Sequence, residues 1–110
     1  MDRPEGFEDT FNRAALKAAN DQAQRNIQAI SSRMASEQAA VEQLKQQESF
    51  LRRSNPVPLE ELKRVCDTIM AKKAGIAAFN EGIANLQRQQ NLNNLYVEYI
   101  DYLKAQGAGV

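Results

Sequence analysis

Two prolines, Pro56 and Pro58, stand one residue apart near the middle of this 110-residue sequence. A proline inside a helix removes a backbone hydrogen bond and clashes with the preceding turn, and it also disfavours helical geometry in the residue before it. The third proline of the sequence, Pro4, lies close to the start. We therefore predict one break, at residues 54–58, with room for a long helix on either side.

Both sides of the break consist mainly of residues that favour helices. Asp9 or Thr10 can cap a first helix, and the acidic pair Glu60–Glu61 suits the positive end of the dipole of a second helix. We predict a single helical domain at 9–106, in which helices at 9–53 and 59–105 are joined by an elbow at 54–58. An N-terminal segment at 1–8 precedes this domain, and a flexible tail at 106–110 ends the chain.

Apolar residues recur at spacings of three and four in both helical segments, which is typical of helices that pack along one seam. In an antiparallel hairpin, two residues that face each other are separated from the elbow by the same number of residues. A register that pairs Leu51 with Leu62 and Leu44 with Ile69 is centred on the proline break. The sequence thus predicts an all-α antiparallel coiled-coil hairpin. Its seam residues are Leu16, Ala23, Ile27, Ile30, Met34, Val41, Leu44 and Leu51 on the first helix, and Leu62, Val65, Ile69, Ile76, Phe79, Ile83, Leu86, Val97 and Ile100 on the second.

Polar residues interrupt this seam at two levels. The register places Asn20 opposite Asn93 and Ala23 opposite Gln90. Such layers are either hydrated positions that the hairpin tolerates, or direct polar contacts that fix the register in the way a buried asparagine does in coiled coils.

The residue types on which most catalytic and metal sites depend are scarce. The sequence has no histidine and one cysteine, so the commonest general base and the usual zinc, haem and iron–sulfur ligand sets are missing. We find no glycine-rich phosphate loop and no nucleophile elbow. We expect no enzyme activity, no catalytic residue, no cofactor, no metal and no small-molecule substrate.

Cys66 is the lone thiol, and Lys63 and Arg64 stand near it. Nearby cations favour a reactive thiolate. The simpler interpretation is a small apolar side chain at the edge of the seam. A single cysteine suits a reducing compartment, and no apolar signal-peptide core follows Met1. We therefore expect a cytoplasmic protein.

Charge is balanced overall, with 14 basic and 14 acidic residues, but the elbow end is mildly basic. Residues 45–73 contain seven basic and four acidic side chains, and Phe50 is the only aromatic residue near the elbow. Binding of single-stranded nucleic acid combines positive charge with aromatic stacking. Neither a nucleic-acid nor a membrane partner is expected, although the basic elbow leaves such an accessory role as a third possibility.

A second apolar surface, which we call the apolar flank, runs beside the seam on one side of the hairpin. It begins with small residues and continues with large ones, whereas the opposite side is polar. Glycine within a helix costs about 1 kcal/mol relative to alanine, but it lets another backbone approach closely. Near its C-terminal end the apolar arc widens to include Leu95 and Tyr102. The predicted partner-binding residues are Ala71, Gly75, Ala78, Gly82, Leu92, Tyr96, Tyr99 and Leu103, with Phe7 and Phe11 at the facing end of the first helix.

This flank can be covered in two ways. The N-terminal segment can fold back over the aromatic residues, or another helical chain, either a second copy or a different protein, can pack there. A two-helix rod buries little surface by itself, which favours the partner. We expect partner helices to complete the hairpin into a bundle.

The layout resembles coiled-coil hairpins of several unrelated groups, among them cofactor-type tubulin chaperones, export-apparatus stalk proteins and small subunits of helical cytoskeletal or tethering complexes. The main functional hypothesis is a non-enzymatic interaction subunit or adaptor in a larger helical assembly. The alternative is a small chaperone or secretion accessory protein that holds a client helix.

Overall fold

The structure is a computed structural model that describes residues 12–107. It contains two helices, α1 at Arg13–Arg52 and α2 at Leu59–Ala105, and the described residues include no strand. The prediction of an all-helical hairpin is confirmed. The bounds of α2 match the predicted ones, and α1 ends one residue before the predicted end. Asp9 and Thr10, the predicted caps, lie outside the described residues.

The described part of α1 begins with a cap from Asn12. The Asn12 side-chain Oδ1 accepts a hydrogen bond of 3.0 Å from the Ala15 amide. The backbone carbonyl oxygen of Asn12 accepts a second hydrogen bond, of 2.9 Å, from the Leu16 amide. Asparagine suits this place because its short side chain reaches a first-turn amide that has no partner within the helix.

The elbow spans residues 53–58 between the two helices. The last turn of α1 tightens there, since the amides of Arg53 and Ser54 bond to carbonyls three residues back, at Phe50 and Leu51. On the other side, the Pro58 carbonyl accepts the first bond of α2 from Leu62, at 2.9 Å. Proline is acceptable at this place because the amide that it lacks would have no partner in the helix.

A glycine stops α2 at its C-terminal end. The Gly107 amide bonds to the Lys104 carbonyl at 3.0 Å, and Gly107 has a positive φ of 72°. Glycine adopts this left-handed geometry without the steric penalty that a Cβ brings, so it is the usual residue just after a helix.

The chain divides into two compact units, each made of one segment from α1 and one from α2. The elbow unit comprises residues 29–83, and the terminal unit comprises residues 12–28 and 84–107 of the described chain.

The core of the elbow unit is a cluster of seam residues from both helices. Its buried members are Val41 and Leu51 from α1, with Val65 and Ile69 from α2. Half-buried Leu44, Leu62 and Ile76 pack against them. The predicted neighbours Leu51 and Leu62, like Leu44 and Ile69, are thus in the same cluster.

The terminal unit buries seam residues as well. Leu16, Ala23 and Ile27 are its buried apolar residues on α1, and Ile100 on α2 is only 2% exposed. Every buried apolar residue that the structure describes, in either unit, belongs to the predicted seam. The three- and four-residue spacing of the apolar residues, together with the position of the prolines, was therefore sufficient to identify the buried apolar residues.

The polar layers of the terminal unit form a network of side-chain amides across the seam. Buried Asn93 donates from Nδ2 to Asn20 Oδ1 at 3.0 Å, which is the predicted pair. Asn20 in turn donates to Asn94 at 2.8 Å, and Gln89 donates to Asn93 at 3.0 Å. Gln90 donates to the Asn20 carbonyl oxygen at 3.2 Å. This direct bonding is what the register-fixing alternative predicts.

The register of the elbow unit can be checked by cysteine pairs in a Cys66→Ser background. Cysteines at Ile30 and Ile83 should form a disulfide within one chain on mild oxidation, because Ile30 reaches to 3.9 Å from the position of a Cβ at the neighbouring Gly82. A control pair at Ile30 and Ile76 is offset by one heptad and should not crosslink. Gel mobility and mass spectrometry distinguish the products, and exclusively intermolecular disulfides would contradict the hairpin.

The amide network predicts that Asn93→Ala lowers the free energy of unfolding by about 1–3 kcal/mol, because Asn20 and Gln89 would lose a buried partner. The control is Asn94→Ala, which removes an exposed acceptor that water can replace, and it should cost less than about 1 kcal/mol. Urea unfolding followed by circular dichroism measures both. An equal decrease in the free energy of unfolding for the two variants would show that the buried hydrogen bond stabilises the fold no more than the exposed one.

Candidate protein-interaction surface

The elbow-unit part of the apolar flank is open to solvent. Ala71, Gly75 and Ala78 are exposed, and Gly82 is half-buried. Ala71 and Gly75 lie in an open depression of about 530 Å³, which Phe79 also lines. The other lining residues are Glu37, Asp67, Thr68 and Lys72. Two of the four predicted small residues thus line an open depression, and Ala78 and Gly82 lie outside its lining.

An ion pair across the seam forms part of that rim. Lys72 Nζ lies 2.9 Å from Glu37 Oε2, and both side chains are partly shielded from water. The two residues occupy seam positions, Glu37 between Met34 and Val41 on α1, and Lys72 on α2. A partly exposed pair of this kind contributes about 1 kcal/mol or less to stability. The pair also favours this register of the two helices, because a shift would separate the two opposite charges.

The two helical glycines of the flank are not required by packing within the chain. A Cβ added to Gly75 would meet no atom within 4 Å, and one added to Gly82 would meet only Ile30, at 3.9 Å. Neither residue has a positive φ. Each glycine therefore lowers helix stability without a compensating contact among the described residues.

The terminal-unit part of the flank carries large apolar side chains, and exposure divides them into two groups. Tyr96 and Leu103, next to the seam, are half-buried. Leu92 and Tyr99 are 41% and 52% exposed, and beside them Leu95 and Tyr102 are 60% and 58% exposed. We call these four exposed residues the outer stripe: Leu92, Leu95, Tyr99 and Tyr102.

The outer stripe lies on the face of α2 that is turned away from the seam. Its residues follow spacings of three, four and three, so they line up along the helix. The rings of Tyr99 and Tyr102 stack, with centroids 6.5 Å apart and planes 22° apart. The two rings thus place their apolar faces side by side on the stripe.

The exposed apolar residues of the terminal unit thus differ from the predicted binding residues. Leu95 and Tyr102 were seen in the widened apolar arc but were not among the predicted binding residues, and they are the two most exposed members of the stripe. Phe7 and Phe11 lie outside the described residues. The sequence could have identified Leu95 and Tyr102 by their spacing, because the residues from Leu92 to Tyr102 repeat the heptad pattern of the seam on a second face.

The remaining predicted features are Cys66 and the basic elbow end, and their polar contacts lie both within and between the two helices. Arg52 is 2.8 Å from Glu48, and the hydrogen bond to this carboxylate together with its charge raises the pKa of Arg52 above its ordinary value. Cys66 is half-buried, with its Sγ 3.9 Å from Arg52 Nη2. Four of the seven basic residues of the elbow end have a carboxylate within 4 Å. They are Lys45 with Glu42, Arg52 with Glu48, Lys63 with Asp67 and Lys72 with Glu37.

Within residues 12–107, no three side chains of histidine, cysteine, aspartate or glutamate are grouped so that they could hold a metal ion. Over the same residues, neither helix has a stretch of the length and apolarity needed to cross a bilayer.

Comparison of the chain with protein-family models, with curated proteins and with solved structures gives no match.

The open surroundings of Gly75 predict that Gly75→Ala stabilises the isolated chain by about 0.5–1 kcal/mol, since alanine favours the helix and its methyl group meets nothing. The matched control is the same substitution at Gly107, whose positive φ makes a Cβ unfavourable by about 1 kcal/mol. Thermal unfolding of both variants should show shifts of opposite sign. A lower melting temperature for Gly75→Ala would mean that the isolated chain does depend on this glycine.

Proposed function

We propose that this protein is a non-enzymatic coiled-coil interaction subunit, or adaptor, that joins a larger helical assembly through the outer stripe. The observation that carries the proposal is the exposure of four large apolar residues at heptad spacing on the face of α2 opposite its seam. One helix with two such faces is suited to pack against two other helices at once.

The exposed side chains of the outer stripe would gain free energy from burial against a partner. Burying a whole leucine or similar side chain contributes about 1.5–3 kcal/mol, so a side chain that is half exposed still has roughly 1 kcal/mol to gain from a partner. Four such residues in line are more than scattered surface apolar residues, which are common and need no explanation. Aromatic residues, and tyrosine in particular, are also enriched in protein interfaces.

The small residues of the elbow unit also support a helical partner. Ala71, Gly75 and Ala78 are exposed, and no described atom occupies the space next to Gly75. An open helical glycine reduces stability, and the closest explanation is that a second backbone approaches there in the assembled protein. This supports a helical partner rather than a small ligand, because the depression is shallow and wide.

The test is the size of the assembly in the cells that make the protein. The tagged full chain should elute in a complex, and Leu95→Glu with Tyr99→Glu should shift it to a smaller size, because buried carboxylates oppose packing. The control is Met70→Glu, a change at an exposed apolar residue of α2 outside the stripe. Circular dichroism should show unchanged helix content in both variants. Normal assembly of the double variant would contradict the proposal.

Purification of the tagged full chain distinguishes a subunit from a chaperone that holds a client helix. A permanent subunit is expected to aggregate or to lose stability when it is purified without its assembly. A chain that is folded, soluble and monomeric alone, and that binds a client only transiently, would instead favour the chaperone.

A further inference from the structure

We draw no further inference here: the strongest candidate, the outer stripe of exposed apolar residues on the C-terminal part of α2, belongs to the surface already described, and nothing among residues 12–107 shows what covers it.

Discussion

A pair of helices that touch along one seam can hide only a narrow strip of each from water, and the other features of this chain follow from that constraint. The seam residues have no second layer behind them, so many of them remain half-buried, and Ile100 is the most deeply buried residue described. Stability must therefore accumulate along the length of the seam. Such a structure tolerates no further break in either helix, and the prolines are confined to the elbow and to Pro4.

A uniform apolar seam would allow the helices to slip by a heptad, and polar contacts across the seam oppose this. In the terminal unit the Asn20–Asn93 bond joins α1 to α2, and buried Asn93 loses this bond if the helices shift. In the elbow unit the Lys72–Glu37 pair serves the same purpose by charge. Polar contacts of this kind add little net free energy, but they penalise the alternatives.

The surface outside the seam is where the chain departs from what a self-sufficient hairpin needs. Gly75 is open, and the outer stripe leaves leucine and tyrosine side chains in water. Both features lower the stability of the isolated chain or its solubility, and both become favourable when another helix covers them. The proposed interaction subunit explains both features together.

The sequence by itself determined the break, the extent of α2, the seam residues and the Asn20–Asn93 pair, because proline stereochemistry and helical period act locally and leave one consistent register. Only the tertiary structure decided which side of α2 stays exposed. Tyr96 and Leu103 lie beside the seam and are half-shielded, whereas Leu95 and Tyr102 point away from it. A helical wheel gives the direction of each side chain, but the exposed fraction depends on how far the facing helix and its side chains reach. The same limit applies to the bond between Lys72 and Glu37, since charges off the direct facing positions meet only through their side-chain conformations.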